Sequence, residues 1–238
     1  MESMKNNFNL LYKALKWDFY LQKKYNILLI ALIISIFYAV CWKIIGNDLP
    51  GEVLVILIFS DPAMLGFLFI GVLLLTDKGS RTLQVFNISP LSTEGYIWSK
   101  TISLTIITIF CSLVITIAAH GLDFNFIYLL LGVILSSTLF IFIGFIAVSL
   151  VNNFNEYVFV LPFFMLPLCI PFLNYFGITN TKLFYLIPTQ ASLILLDTIL
   201  HKNTDFIQIM YAIGYLILWN FIGYIIAKKF YKKFLIKQ

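Results

Sequence analysis

Asp61 is the acidic residue placed well inside a long apolar stretch, residues 53–75, and it is the first candidate for chemistry in this sequence. An aspartate near the middle of a membrane helix costs about 2.5–3.5 kcal/mol on insertion scales, so its presence needs a reason. One hypothesis is structural, because Ser60-Asp61-Pro62 has the pattern of a helix N-cap followed by proline in the first turn. The other hypothesis is that the carboxyl contacts a transported substrate or carries a proton. The sequence leaves both open.

Other residue types that catalyse reactions or bind metals lack the required patterns. His120 and His201 do not belong to a His/Cys ligand pattern, so we predict no metal site. The sequence has no G-x-x-x-x-G-K-[ST] phosphate loop, no G-x-S-x-G nucleophile elbow and no H-E-x-x-H helix. We therefore predict that the chain has no catalytic residues, holds no cofactor of its own and is not an enzyme by itself.

The composition is that of an integral membrane protein. Of the 238 residues, 61% are hydrophobic and 11% charged, against about 45–50% and about 25% in soluble domains. A chain of this size cannot hide so much apolar surface in its own interior. The composition excludes a cytosolic enzyme, a DNA-binding module and a disulfide-stapled secreted domain. The net charge of +5 comes from basic residues beside apolar runs, which favours membrane lipids over nucleic acid as their partner.

The apolar runs predict the fold class, an all-α membrane protein in one domain, residues 1–238. Six runs are long enough to cross a hydrocarbon core of about 30 Å as helices. They lack the alternation of barrel strands. The six predicted spans are residues 27–45, 53–75, 102–119, 126–151, 157–176 and 206–227.

Lysine and arginine positions predict the orientation of the chain in the membrane. Most basic residues fall on one side of the predicted spans: five precede the first span, five follow the last, and three lie between the second and third spans. By the positive-inside rule, both termini and the loop between spans two and three are cytoplasmic. Only Lys43, Lys182 and Lys202 fall on the other side.

Two segments outside the spans also have helical patterns. Residues 6–25 form a predicted amphipathic interfacial helix, whose apolar side chains recur at helical spacing: Phe8, Leu11, Tyr12, Leu15 and Phe19. This helix is either a juxtamembrane anchor or an elbow that also touches a cytoplasmic partner. Residues 177–205 form a predicted external segment with short helices, one of them beginning at Pro188. Pro162, Pro167 and Pro171 predict a kinked or broken fifth span.

The cytoplasmic loop 77–100 combines apolar side chains with helix signals. Thr82 to Ile88 can form a short helix that Ser89-Pro90 ends, and Ser92-Thr93-Glu94 is a predicted helix start. Apolar groups exposed at this face favour docking to another protein. The alternative is that these side chains lie among the lipid headgroups.

This loop resembles that of the membrane subunits of ABC-2 type transporters, and the resemblance extends over nearly the whole chain. That family shows an acidic residue ending span two, a small-residue turn, Thr-Leu, Ser-Pro-Leu, and a Tyr before a Lys. The corresponding residues here are Asp77, where glutamate is commoner, and then Gly79, Thr82-Leu83, Ser89-Pro90-Leu91, Tyr96 and Lys100. Asp61-Pro62 with Gly66 resembles the branch of antibiotic-exporting permeases that includes fluoroquinolone exporters.

The resemblance implies a permease of an ATP-driven exporter in the bacterial cytoplasmic membrane. Such a permease pairs with itself or with a homologous permease and binds two ATPase subunits, which hold the ATP and Mg²⁺. Its cargo is a drug, peptide, lipid or other amphipathic molecule. The resemblance implies coupling to the ATPase through the following residues: Asp77, Gly79, Arg81, Thr82, Leu83, Phe86, Ser89, Pro90 and Leu91.

Two other hypotheses remain open from the sequence. One is a secondary transporter driven by an ion gradient, in which Asp61 would be the coupling acid. The other is a membrane assembly factor that transports nothing.

Overall fold

The computed structural model describes residues 2–46, 50–60, 65–80, 92–179, 181–199 and 205–236, and these ranges contain no β-strand. The predicted all-helical class is therefore confirmed. We number the helices in chain order and call the short 3-10 helix η1. They are α1 (Glu2–Lys24), α2 (Ile27–Ile45), α3 (Gly51–Ser60), α4 (Gly66–Gly79), α5 (Thr93–His120), α6 (Phe126–Val148), α7 (Phe154–Cys169), α8 (Phe172–Tyr175), η1 (Lys182–Leu186), α9 (Pro188–Asp197) and α10 (Phe206–Ile236).

Within the described ranges, five helical segments are long and apolar enough to cross a membrane: Ile27–Ile45, Thr93–His120, Phe126–Val148, Phe154–Tyr175 and Phe206–Lys233. The predicted span over residues 53–75 corresponds to two shorter helices, α3 with 10 residues and α4 with 14. Each is shorter than the roughly 20 residues that a spanning helix needs. Asp61 and Pro62 belong to residues 61–64, outside the described residues, so both hypotheses for Asp61 stay predictions.

Helix α6 lies at the centre of the bundle and packs against α4, α5, α9 and α10. Small residues allow this close approach: a Cβ added at Gly144 would overlap Ile70 of α4. Next to it, a Cβ at Gly71 would overlap the ring of Tyr157 at the start of α7. The Tyr157 hydroxyl donates to the carbonyl of Phe67, which links α7 to α4.

The predicted helix signals of the second half are present. Helix α7 ends at Cys169 and Pro171 precedes α8, so the helical segment of the fifth span is interrupted at Pro171, whereas Pro162 and Pro167 lie inside α7. Pro188 occupies the first turn of α9, as predicted. The leucines of α9 are buried at its contacts with α10, α6 and α3, so this short helix is part of the core.

Helix α5 begins earlier than the predicted third span. Ser92 is its N-cap, and the Ser92 hydroxyl accepts a hydrogen bond from the Gly95 amide at 3.1 Å, which confirms the predicted helix start. With 28 residues, α5 is about 42 Å long, against about 30 Å of hydrocarbon. Its first turns can therefore extend beyond the hydrocarbon, and these turns carry the charged residues Glu94 and Lys100.

Candidate functional site

The segment 81–91 holds most of the residues expected to couple the permease to an ATPase, and it lies outside the described residues. The residues concerned are Arg81, Thr82, Leu83, Phe86, Ser89, Pro90 and Leu91. The structure does describe both ends of the segment. One end is the last turn of α4, with Asp77 buried and Gly79 exposed, and the other is Ser92 at the start of α5.

A buried ion cluster joins these two ends. Lys100 of α5 is fully buried, and its Nζ lies 2.8 Å from Asp77 Oδ2 at the end of α4. The same Nζ lies 2.7 Å from Oδ1 of Asp18, a residue of α1. One ammonium group therefore bridges the N-terminal helix and both helices that flank segment 81–91.

Hydroxyl groups also donate hydrogen bonds to the two carboxylates. The Tyr96 hydroxyl donates to Asp77 Oδ2 at 2.6 Å, and the Ser99 hydroxyl donates to Asp18 Oδ2. We call these five residues the Lys100 cluster: Asp18, Asp77, Tyr96, Ser99 and Lys100. One turn further along both helices, Gln22 Nε2 donates to Ser103 Oγ at 2.9 Å. These bonds fix α1 against α5 along two successive turns.

Aromatic rings close the Lys100 cluster on the side of α10. The ring of Tyr231 stacks on Tyr96 with a centroid distance of 5.0 Å, and Phe145 of α6 meets Tyr231 edge to face at 5.9 Å. Lys100 Nζ also lies 5.2 Å from the centroid of the Tyr96 ring, within range of a cation–π contact. Five helices therefore meet at this point.

The electrostatics favour a rigid connection. Two carboxylates face one ammonium, and such buried ions are stable only where the pairing geometry is good and hydrogen bonds satisfy the remaining oxygens. Burial raises the pKa of the Asp18 carboxyl, against the attraction of Lys100 that lowers it. The arrangement is a mechanical connection between α1, α4 and α5, because both carboxylates contact the same ammonium group.

Sequence reasoning missed part of this site. The sequence predicts Lys100 only as one of the basic residues at the cytoplasmic end of the spans, and the structure shows in addition that its side chain has 0% exposure. Asp18 was not singled out. The available signal was spacing, since Leu11, Leu15, Asp18 and Gln22 follow intervals of four, three and four residues along one helix face.

A second ion pair lies at the same end of the bundle and is open to solvent. Lys228 of α10 contacts Glu94 Oε1 in the first turn of α5, and their side chains are 32% and 54% exposed. We call it the rim pair. It connects α5 to α10, on the helix that also supplies Lys100.

Comparison with known proteins gives the family. The model of the fluoroquinolones export permease protein family matches residues 9–238. Two curated proteins, each named as a fluoroquinolones export permease protein, come from the Mycobacterium tuberculosis strains CDC 1551 / Oshkosh and ATCC 25618 / H37Rv. Each is 30% identical to this chain over 141 residues, 58% of this chain and 58% of the relative. The match therefore spans less than two thirds of these relatives.

The family match includes all five residues of the Lys100 cluster and nearly the whole chain. It agrees with the sequence motifs that resemble the antibiotic-export branch of ABC-2 type permeases. The chain belongs to the fluoroquinolones export permease protein family.

Proposed function

We propose that this chain is the transmembrane permease of an ATP-driven exporter in the bacterial cytoplasmic membrane. Family membership and five apolar helices of spanning length support this role. In this proposal α3 and α4 together make a sixth crossing, and both termini are cytoplasmic, in accordance with the basic residues before α2 and at the end of α10.

The Lys100 cluster is the observation that carries the proposal. Two ATPase subunits, which hold ATP and Mg²⁺, dock on segment 81–91 in a complex of two permease chains. Because Lys100 joins Asp77 and Asp18, a movement of this segment is transmitted to α4, α5 and α1 together. The permease itself hydrolyses nothing and acts as a two-state bundle that the nucleotide state of its partner biases.

The cargo in this proposal is an amphipathic drug with an aromatic ring system. The relatives are named for fluoroquinolones, and this chain shares the family match with them. Export of such a compound would lower its concentration in the cytoplasm and contribute to antibiotic resistance.

The second permease chain is proposed to bind along α7. Of the residues in α7, only Tyr157 is buried, while Phe159, Phe163 and Leu166 point away from the bundle. An exposed apolar face of this kind can lie against lipid or against a second copy, and the proposal assigns it to the second copy. Phe163→Cys is expected to give a disulfide-linked dimer in a background without the three native cysteines. A Phe37→Cys variant, on the exposed face of α2, is the matched control and should stay monomeric on denaturing gels.

The first test is a pull-down from a mild detergent, with the tagged chain co-expressed from its own operon. We expect a stoichiometric ATPase, which is lost in a Leu83→Glu/Phe86→Glu double variant. A matched control is Leu183→Glu in η1, an exposed leucine far along the chain from segment 81–91. Equal membrane insertion of both variants is checked by protease protection.

Transport in inverted membrane vesicles separates the remaining hypotheses. ATP-dependent uptake of a fluoroquinolone supports the proposal. Uptake driven by a proton gradient without ATP, and abolished by Asp61→Asn, would support a secondary transporter instead. A folded chain with neither an ATPase partner nor uptake would favour an assembly factor.

A further inference from the structure

An aromatic groove faces outward between α5, α6 and α10. Its volume is about 360 Å³, within the range of small-molecule sites, and its surface is almost entirely apolar. Its walls include Trp98, Phe142, Phe221 and Tyr224. None of these residues belongs to the Lys100 cluster, and the proposed coupling role does not use them.

Three rings form a continuous wall in this groove. Trp98 meets Phe142 edge to face at a centroid distance of 6.0 Å and packs against Tyr224 at 5.5 Å. Phe142 and Tyr224 lie 5.8 Å apart. Phe142 is buried, whereas Trp98 is 40% exposed. The rings therefore hold one another in place while one face of Trp98 stays open to a planar ligand.

The side chains of Thr138 and Asn220 in the groove already have hydrogen-bond partners. Thr138 Oγ1 donates to Asn220 Oδ1 at 2.6 Å, and Asn220 Nδ2 donates to the carbonyls of Leu135 and Leu216 at 2.9 Å each. Because these groups bond to one another and to the backbone, they offer little to a charged ligand. A ligand with charged groups must find its partners outside the apolar walls.

The rim pair supplies such partners one helical turn away. Glu94 precedes Trp98 by four residues on α5, and Lys228 follows Tyr224 by four residues on α10. Residues four apart lie on one helix face, and four residues rise about 6 Å along the axis. The two charges therefore lie beyond the Trp98–Tyr224 contact on both helices. Their exposure means that water and salt weaken the pair, so that a ligand can exchange with it.

We propose that this groove binds a planar aromatic compound that carries both a carboxylate and an amine. The ring system lies against Trp98, the carboxylate binds Lys228 and the amine binds Glu94. Charge complementarity favours this occupant, because one anion and one cation lie at the end of an aromatic groove. The inference rests on the proposed export of amphipathic aromatic drugs and names the part of this chain that would receive them from the cytoplasmic side.

Binding to the purified full-length chain in nanodiscs tests the groove without ATP or an ATPase. The probe is a fluoroquinolone with both charged groups, followed by its own fluorescence, and compared with its decarboxylated analogue. Trp98→Leu is expected to raise the Kd about three- to tenfold, as loss of an aromatic contact does. Trp17→Leu, on the exposed face of α1, is the matched control and should leave the Kd unchanged.

Variants of the rim pair test the two proposed charged contacts separately. Lys228→Gln should raise the Kd of the zwitterionic probe several-fold and leave that of the decarboxylated analogue unchanged. Glu94→Gln should weaken both probes, since both keep the amine. If Trp98→Leu lowers the yield of folded protein, Ile134→Trp fills the groove from its outward-facing wall instead and should also raise the Kd.

Three results would overturn the inference. The first is an unchanged Kd in both Trp98→Leu and Ile134→Trp. The second is an equal change of the Kd in Trp98→Leu and Trp17→Leu. The third is a probe signal that depends only on the lipid composition of the nanodiscs, which indicates partition into the bilayer. Failure of the proposed function is distinguishable from these. If ATP-driven export is normal and the groove variants have no effect, the groove is not the binding site but the proposed function stands. If the probe binds specifically in the groove but the chain has no ATPase partner, the groove is a binding site but the export is not driven by ATP.

Discussion

Two ion pairs tie the first turns of α5 to other helices, and they differ in their access to water. Lys100 is enclosed between Asp18 and Asp77, with hydroxyl donors on both carboxylates. Six residues earlier, Glu94 meets Lys228 with both side chains partly exposed. A buried pair cannot separate without leaving an unpaired charge in a medium of low dielectric constant. An exposed pair can separate at little cost, because water replaces each partner.

Because they differ in their access to water, the two ion pairs suit different roles. The Lys100 cluster suits a permanent connection, in which a displacement of one of the three joined helices moves the other two with it. The rim pair suits exchange with a ligand, because its partners do not depend on each other for solvation. Both pairs lie on one helix, so α5 would carry the docking signal and the cargo contact on adjacent turns.

The largest expected effect is that of removing the ammonium. Lys100→Met leaves Asp18 and Asp77 facing each other in a buried site, and breaking a buried pair in this way typically costs about 3–5 kcal/mol. We expect a large fall in the Tm of the purified permease. Lys23→Met, at an exposed position of α1, is the control for loss of one lysine.

A rescue variant separates charge from packing in that experiment. Adding Asp18→Asn and Asp77→Asn to Lys100→Met removes the unpaired carboxylates and should recover part of the lost stability. A Tm equal to that of the Lys23→Met control in the Lys100→Met protein would mean that the cluster is not the connection described above.

Asp77→Asn is expected to have a smaller effect on stability. Lys100 keeps Asp18 as a partner, and the amide oxygen can still accept from Tyr96, so the cost should be about 1–3 kcal/mol, as for an imperfectly satisfied buried group. Asp205→Asn, at an exposed site before α10, is the matched control. Chemical unfolding in detergent measures both. A loss as large as that of Lys100→Met would contradict the view that either carboxylate alone can hold the ammonium.

Asp18→Asn should cost the least stability within the cluster and should affect coupling the most. Burial raises the pKa of Asp18, so the folded protein binds this proton more readily than the unfolded chain. Its contribution to stability is therefore complete below the unfolded pKa and is lost as the pH rises through the folded pKa. The Tm of the Asp18→Asn variant should therefore depend less on pH than the Tm of the wild type. The drug-stimulated activity of the ATPase subunits bound to this variant should fall, because α1 loses its charged contact with Lys100.

Two results from the Asp18→Asn variant would contradict this prediction. A Tm that depends on pH as steeply as in the wild type would assign the slope to another group. Retained ATPase stimulation at a normal Tm would show that α1 does not need Asp18 to follow the movement of α4 and α5.

Local signals in the sequence predicted a large part of this architecture. Ser92 caps α5, Pro188 opens α9 and Pro171 follows the end of α7, each through backbone chemistry that involves a few neighbouring residues. Apolar runs likewise predicted most of the long helices. What these features share is that no distant partner is needed to specify them.

The Lys100 cluster depends on distant partners, and for that reason the sequence did not reveal it. Asp18 and Ser99 are 81 positions apart and meet only because α1 folds back along α5. Lysine in a loop between spans is usually exposed, so the positive-inside rule assigned Lys100 correctly to one end of the bundle and said nothing of its burial.

The smallest expected effect is that of opening the rim pair. Glu94→Gln should leave the Tm within error of the wild type, since both side chains are accessible to water and the rest of α5 remains packed. Raising the salt concentration from 0.05 to about 0.5 M should weaken the pair in the wild type, because the Debye length falls well below 10 Å. The same change should leave the stability difference between wild type and Asp77→Asn intact, as the Lys100 cluster is shielded from salt. A Tm loss in Glu94→Gln comparable to that in Asp77→Asn would give the rim pair a structural role and argue against its exchange with a ligand.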